Sequence, residues 1–412
     1  MELYSSVWHI FSALLVFLSG AAISMSVASR FRTSIVRTLV IYSWHTLFCM
    51  AYLWYSLTHP ADSNAYYRAV VDGIPEFGIG TQGVYYLTAL IVQGLDLSIL
   101  GLFLVFNIFG VIGLLAFDAA LRTATWGKRR SIQRLAALII FMPSVSFWSS
   151  AVGKDPLSFM ATGLALWAAL DLRRRAPLMI FSIAIMLLVR PHMAVLMLVA
   201  FIVATLLDSK SRIGEKTLLS VITIGTAVFL IPFSLKYAGL TGVIDWDILI
   251  NYIETRQLYN MQGSGGIDIA SMNLPMQLIT YMFRPFIFEA WSFLSLVASI
   301  ENMILLYLFI AGSFIAGSRM LLDRGKKKYQ ESRVFMWLYS VMTLAILATT
   351  SANLGISLRQ KWMFLPMLTF LFISIISKRK VKSPLVGSLS VYNVLVQKNT
   401  VDREKSIKIK EL

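Results

Sequence analysis

Charged residues and cysteines are scarce in this chain, and both scarcities restrict what it can be. Only 14% of the 412 residues are charged, whereas 57% are hydrophobic and the mean hydropathy is +0.71. This composition is too apolar for a soluble domain of this length and predicts a polytopic membrane protein. A single cysteine, Cys49, lies within an apolar segment, so no intramolecular disulfide is possible.

Histidine is scarce as well, and the patterns of metal and nucleotide sites are missing. The four histidines are scattered without i, i+4 spacing and without a cysteine cluster, so we expect neither a metal site nor a cofactor. The GKDP stretch at 153–156 lacks the second glycine and the Lys-Ser/Thr pair of a phosphate-binding loop. The net charge of +16 arises from short basic clusters between apolar runs, which is typical of cytoplasmic loops, and we expect no nucleic-acid partner.

Long apolar runs without alternation occupy most of the chain. A helix needs about 20 residues to cross the ~30 Å hydrocarbon core, where only helices or closed barrels satisfy their backbone groups. We therefore predict an all-α, polytopic membrane domain over residues 1–380 and a basic cytoplasmic tail over 381–412. The eleven predicted spans are 7–28, 38–57, 98–120, 133–150, 157–172, 177–189, 193–207, 217–234, 291–318, 333–350 and 363–377.

The loops between these spans alternate in positive charge. One set carries 29 of the 37 lysines and arginines, and the other set carries eight. Because cytoplasmic loops are enriched in lysine and arginine, this alternation predicts that the amino terminus lies outside and the carboxyl terminus inside. Two of the outer loops, 58–97 and 235–290, are long. The eight outer cations are Arg68, Lys154, Arg190, Lys236, Arg256, Arg284, Arg359 and Lys361.

The cation at the first elbow between short spans is Lys154. Asp155 followed by Pro156 is a favourable N-cap and N1 pair for the next helix, which is a purely structural interpretation. Capping does not account for Lys154, and a lysine beside a helix N-terminus is suited to bind an anion. Asp155 is also a candidate catalytic group.

The RPH stretch at 190–192 forms the second elbow, because its proline prevents simple continuation of the preceding helix. Arg190 either only reaches the interface with its charged end or binds a phosphate, for which a planar guanidinium is well suited. In the second case His192 is a neighbouring hydrogen-bond donor or proton carrier near neutral pH.

Other candidates lie in the outer loops. Asp62 either caps a solvated turn or takes the proton of a sugar hydroxyl, while tyrosines beside it stack on sugar faces. Arg284 and Glu289 either pair at the interface or belong to the site, with Glu289 in a catalytic role. Two further cations precede the last predicted span. Either the two together hold a diphosphate, or one of them only extends its charged end to the membrane interface. The tyrosines are Tyr66 and Tyr67, which Arg68 follows in the first loop, and the two cations before the last span are Arg359 and Lys361.

In pattern and order these motifs resemble bacterial surface-polysaccharide polymerases of the Wzy-type and EpsG-like families, which are similar in style to GT-C glycosyltransferases. The stretches that carry the resemblance are DSNAYY at 62–67, PSVSFWSSAVGKD at 143–155, RPH at 190–192, FRPFIFEAWS at 283–292 with ENMILL at 301–306, and LRQKWMFLP at 358–366.

The resemblance implies a lipid-linked oligosaccharide substrate on an undecaprenyl diphosphate carrier. It further implies that Arg190, Arg284 and Arg359 bind the diphosphate and that Asp62 is the base. The chain departs from the EpsG-like pattern, since the glycine-rich approach to the loop aspartate is missing.

We therefore expect a multi-pass protein of the bacterial inner membrane that polymerises or transfers glycans at its periplasmic face. Its partners would be membrane lipid and the flippase and chain-length regulator of the same pathway. Two alternatives stay open: a GT-C enzyme that adds one sugar from a polyprenyl-phosphate donor, and a transporter or flippase for the same lipids.

Overall fold

The computed structural model describes residues 5–71, 73–207, 246–261, 265–322 and 331–376, together with five isolated positions. Within these residues the regular secondary structure is helical, and one isolated bridge joins Gly266 to Asn353. The predicted all-α fold is therefore confirmed for this part of the chain. Most of the predicted span 217–234 and the whole tail 381–412 lie outside it.

The helices of the described residues follow the apolar runs of the sequence. They are α1 (Val7–Ala28), α2 (Ile35–Thr58), α3 (Asp62–Val71), α4 (Thr81–Leu95), α5 (Ile99–Thr125), α6 (Arg130–Ile140), α7 (Pro143–Trp148), α8 (Lys154–Ala169), α9 (Leu172–Val189), α10 (Pro191–Leu207), α11 (Trp246–Asn260), α12 (Leu274–Phe283), α13 (Phe293–Leu322), α14 (Glu331–Thr350), α15 (Leu354–Gln360) and α16 (Leu365–Ile375). Two 3-10 turns, Ile287–Glu289 and Lys361–Met363, precede α13 and α16.

Five helical segments in the described residues are long and apolar enough to cross a membrane. They are Val7–Ala28, Ile99–Thr125, Arg130–Trp148, Phe293–Gly317 and Arg333–Thr350. Helices α10 and α16 are also apolar but shorter. Several such helices in one chain are typical of a multi-pass membrane protein.

Short helices meet at elbows where the sequence contains proline or glycine. The single span predicted over 133–150 is two helices, because α6 ends at Ile140 and Pro143 opens α7 at the position where its missing N–H costs nothing. Gly153 precedes α8 with a φ of +151°, a conformation that side chains disfavour. Gly153 is the N-cap of α8, and Asp155 lies in the first turn. The prediction that Asp155 caps this helix is therefore wrong.

Glycines allow α5 and α8 to pack closely at the centre of the fold. A Cβ atom on Gly163 would lie 2.5 Å from the carbonyl oxygen of Gly113, and one on Gly113 would lie 2.8 Å from the Cα of Met160. In a bilayer, close packing of this kind holds helices together, since lipid is as apolar as the helix faces. The residues of α8 from Asp155 onward are buried.

Basic side chains from the lysine- and arginine-rich loops contact groups at the ends of neighbouring helices. Asp118, buried near the end of α5, accepts from Arg37 over 2.6 Å and from Arg122 over 2.8 Å. Lys128 donates to three carbonyl oxygens around the end of α16, over 2.7 to 2.8 Å, where cations are favourable. Loops that the charge pattern assigns to one side thus meet in the structure.

Replacing Gly163 by alanine should destabilise the fold by about 1–3 kcal/mol, because the new Cβ overlaps the backbone of α5. The measurement is the thermal unfolding midpoint of the purified protein in detergent. Gly94→Ala is the matched control, since nothing lies within 4 Å of its Cβ position on α4. Equal midpoints for the two variants would contradict the close contact.

Candidate functional site

A buried carboxylate, Asp155, binds two arginines from distant parts of the chain. Arg190 at the end of α9 donates from Nη2 to Asp155 Oδ1 over 2.7 Å, and its Nε donates to the hydroxyl of Ser158 over 3.1 Å. Arg359 in α15 donates from Nε to Asp155 Oδ2. Asp155 and Arg190 are buried and Arg359 is partly exposed, and the three side chains tie α8, α9 and α15 together by charge.

The second partner of Arg359 is an exposed carboxylate. Its Nη1 donates to Asp62 Oδ2 over 2.8 Å, and the Asp62 side chain, at the start of α3, is 63% exposed. Asp62, Arg359, Asp155 and Arg190 therefore form one chain of two carboxylates and two guanidinium groups, which we call the charge cluster. Its formal charges cancel, and the Asp62 end is the end that reaches solvent.

The electrostatics of the charge cluster keep Asp155 ionised. Burial by itself would raise the pKa of Asp155, but the adjacent guanidinium groups of Arg359 and Arg190 outweigh burial and hold that pKa below its usual range. Asp155 lies at the elbow before the span predicted from residue 157, and a carboxylate held ionised there is not a proton donor at neutral pH. It orients the two arginines.

The long loop 58–97, which contains α3 and α4, packs on both elbows. Lys154 donates to the hydroxyl of Thr81 over 2.7 Å, at the first residue of α4. The N–H of Gly80 donates to the carbonyl of Leu188 over 2.8 Å, and a Cβ atom on Gly83 would lie 2.6 Å from the same oxygen. The apolar stretch of this loop is thus the helix α4, which lies against the end of α9.

A cavity of about 730 Å³ lies beside the charge cluster. Of the described residues that line it, Arg284 is the one basic and Glu289 the one acidic side chain. The two are joined twice, over 2.6 Å between Nη2 and Oε1 and over 3.0 Å between Nε and Oε2. The aromatic members of its wall are Phe48, Tyr55, Phe147, Trp148 and Trp291.

Trp148 connects the cavity to the charge cluster. It lines the cavity on one side, and on the other it lines a small void that Asp155 and Arg359 also border. The cavity wall continues to Leu358, the residue before Arg359. An occupant of the cavity would therefore lie next to Arg359.

The remaining predicted residues are not among those that line the cavity. Tyr66 is buried, with its ring 4.8 Å from that of Tyr85, and Tyr67 is half-buried. Arg68 is exposed on α3, and His192 is half-buried at the start of α10. Neither buried Tyr66 nor exposed Arg68 lines the cavity.

Lys361 lies apart from the charge cluster. It is buried in the 3-10 turn before α16, and its ammonium donates to Asn302 Oδ1 on α13. The expectation that it stands beside Arg359 to hold an anion does not fit this burial.

Sequence reasoning missed the aromatic wall of the cavity. Trp148 and Phe147 belong to the same stretch as Lys154, and Trp291 follows Glu289 closely. The aromatic residues beside the charged motifs could have indicated this wall, but only the folded chain shows that their rings line the same cavity. Ser158, which supports Arg190, was also missed.

No family model, curated protein or solved structure matches this chain. The fold and the site define its class: a helical, multi-pass type of membrane protein with an arginine–carboxylate cluster next to an aromatic-lined cavity.

Asp155→Asn should destabilise the protein by about 3–5 kcal/mol, because it leaves Arg190 buried without a compensating charge. Asp62→Asn is the matched control at the exposed end of the same cluster, and it should cost less than about 1 kcal/mol. Thermal unfolding of both variants in one detergent checks this. Comparable losses would show that Asp155 is not the centre of the cluster.

Proposed function

We propose that the protein is a membrane glycosyltransferase of the polymerase type. It acts at the periplasmic face of the cytoplasmic membrane on saccharides linked to undecaprenyl diphosphate. The observation that carries this proposal is the aromatic cavity with Arg284 and Glu289 on its wall, next to Arg359. The motif resemblance supports the same function.

The cavity suits a saccharide. Its volume of about 730 Å³ falls within the roughly 300–1,000 Å³ of small-molecule sites. Aromatic faces such as those of Trp148, Tyr55 and Trp291 offer flat apolar surfaces to the C–H faces of sugar rings. Polar groups on the wall, among them Ser144, Ser292 and Asn353, supply hydrogen bonds to hydroxyl groups.

The diphosphate is assigned to the exposed end of the charge cluster. Arg359 is partly exposed, and its bond to Asp62 is open to solvent, so a diphosphate can replace Asp62 on this guanidinium. Asp155 and Arg190 keep Arg359 in place during the exchange. Arg284 offers a second guanidinium from the cavity wall.

In the proposed reaction a hydroxyl group of one lipid-linked unit attacks the anomeric carbon of another. A new glycosidic C–O bond forms, and the bond between that carbon and the diphosphate oxygen breaks. The negative charge that grows on the leaving diphosphate is stabilised by Arg359 and Arg284. The proton of the attacking hydroxyl passes to a carboxylate of the site, for which Asp62 and Glu289 are the two on its solvent side.

The proposal includes the arrangement in the membrane. We infer eleven spans with the amino terminus outside and the carboxyl terminus inside the cytoplasmic membrane of a bacterium. This places the charge cluster and the cavity at the periplasmic face. A flippase would supply the lipid-linked unit there, and a chain-length regulator would limit the product.

Arg284→Lys should lower polymer synthesis by about a hundredfold, because lysine keeps the charge but loses the two-pronged contact with a carboxylate or phosphate. The assay uses purified protein in lipid nanodiscs with a set of synthetic undecaprenyl-diphosphate-linked oligosaccharides. Product length is read by mass spectrometry. Arg256→Lys, on α11 and outside the residues that line the cavity, is the matched control and should keep its activity.

The same assay separates the rival functions. Addition of one sugar from a polyprenyl-phosphate donor, without chain growth, would show that the protein is a single-sugar transferase and not a polymerase. Movement of the intact lipid across a vesicle membrane without chemical change would replace it by a transporter. Full activity of Arg284→Lys would remove the cavity from the mechanism.

Single cysteines test the orientation, because Cys49 is fully buried and leaves the background silent. Arg68→Cys on α3 and Arg130→Cys on α6 both place a thiol at an exposed position. A membrane-impermeant maleimide added to intact cells should label the first and not the second. Labelling of Arg130→Cys and not of Arg68→Cys would show that the orientation is the opposite of the one proposed.

A further inference from the structure

Two charged side chains are buried behind the cavity and take no part in the mechanism described so far. Glu301 on α13 is 4% exposed, and Lys361 in the turn before α16 is 1% exposed. Charged groups are rarely kept in such places without a function, because their transfer from water is costly. They are electrostatic neighbours but are not joined by a direct ion pair in the described residues.

Glu301 is only partly satisfied. Its Oε1 accepts the N–H of Ser144 over 2.9 Å, and the hydroxyl of Ser144 also lies near this carboxylate. Its Oε2 is buried and has no hydrogen-bond partner. A bare carboxylate oxygen in apolar surroundings is costly while ionised and gains by binding a proton.

The pair lies one residue behind the cavity. Ser144, which contacts Glu301, is itself a lining residue. On the other side, Asn302 accepts from Lys361 and donates to the carbonyl of Pro285 over 3.3 Å, and Pro285 also lines the cavity. Ser144 therefore lies between the cavity and the carboxylate, and its hydroxyl accepts the indole N–H of Trp362 over 3.3 Å.

Few other charges face the two groups. Among the elements packed against α13, the helices α7, α12 and α16 contain no charged residue, and the turn before α13 contains Glu289, which is paired with Arg284. Among those packed against the turn of Lys361, α8 and α15 contribute Asp155 and Arg359, which are paired with each other, and the Lys154 at the start of α8 contacts Thr81.

We propose that Glu301, supported by Lys361, is the proton acceptor of the cavity and that it reaches a bound hydroxyl group through Ser144. When the attacking oxygen forms the new C–O bond, its proton passes to the Ser144 oxygen, and the Ser144 hydroxyl proton passes to the carboxylate of Glu301. The electron pair of the broken C–O bond leaves with the diphosphate. Lys361 offsets the negative charge of Glu301 before the transfer.

This assignment rests on the proposed function, and it answers a question that the cavity wall leaves open. Burial would raise the pKa of Glu289, but its hydrogen bonds to Arg284 and to the N–H of Phe286 lower it, which makes Glu289 a weak base. Asp62 is engaged with Arg359 and faces solvent. Of the three, Glu301 is the one with a buried oxygen that has no hydrogen-bond partner.

The competing interpretation is that Glu301 and Lys361 only fasten α13 to the turn before α16. Isosteric neutral variants distinguish the two. Glu301→Gln keeps an oxygen for the N–H of Ser144 but cannot bind the proton, and Lys361→Met keeps the length of the side chain. The double variant removes both charges at once, which restores the balance of charge inside the protein.

Glu301→Gln should lower the rate of polymer synthesis by about a hundredfold and remove the acidic limb of its pH profile. The double variant should regain the thermal stability of the parent but stay equally slow. Ser299→Ala, which deletes another buried hydroxyl of α13 near the cavity, is the control and should keep the parental pH profile. A double variant that regains activity would reduce the pair to a structural role.

A second measurement needs no substrate, so it separates failure of this proposal from failure of the proposed function. Infrared spectra of the purified protein at a series of pH values should contain a protonated-carboxyl band that grows as pH falls and is missing from Glu301→Gln. A Glu301-dependent band that is constant over the series, or no such band, would overturn the proposal even if the protein is a polymerase.

The burial of Lys361 predicts how the stability of the protein changes with pH. Burial lowers the pKa of Lys361 from 10.5 to about 8, although the charge of Glu301 opposes this. The folded protein then binds fewer protons than the unfolded chain between these values, so its stability relative to Lys361→Met should rise from about pH 8 towards pH 10.5. A relative stability that falls over this range would show that Lys361 is not buried as described.

Discussion

Asp155 is the carboxylate that ties α8, α9 and α15 together. Its two arginine partners are 35 and 204 residues away along the chain, at the ends of α9 and α15. Removing Asp155 would leave Arg190 buried without a compensating charge, which costs more than the intact pair contributes. The charge cluster therefore requires that these helix ends meet, and the meeting point lies beside the aromatic cavity.

The elbows make this meeting possible. Helices that cross a bilayer keep their backbone groups internal, so a charged side chain inside a long helix would lie in lipid or in the protein core. Gly153 and Pro191 instead interrupt the chain where Lys154, Asp155 and Arg190 occur. The short helices that follow bring these groups together rather than burying them separately.

The ionic contacts of the charge cluster and of the cavity wall differ in how accessible they are, and the difference suggests different tasks. The Asp155–Arg190 contact is buried and holds the architecture. The Asp62–Arg359 and Arg284–Glu289 contacts are partly open, so an incoming anion or hydroxyl can replace one partner. Glu301 and Lys361 differ from both, because they are buried without a direct bond to each other, and this arrangement underlies the proposed transfer of a proton to Glu301.

Local chemistry was sufficient to predict the apolar helices and the break at Pro191, because apolar periodicity and proline act within a few residues. It did not predict the break at Pro143, since residues 133–150 form one apolar run. It did not reveal that Asp155 binds two arginines instead of capping α8, or that Lys361 is buried. Those outcomes depend on which helices approach closely, as α5 and α8 do at Gly113 and Gly163. Contacts between residues far apart in the chain arise only from that packing, and the cavity between them has no counterpart in any single stretch of sequence.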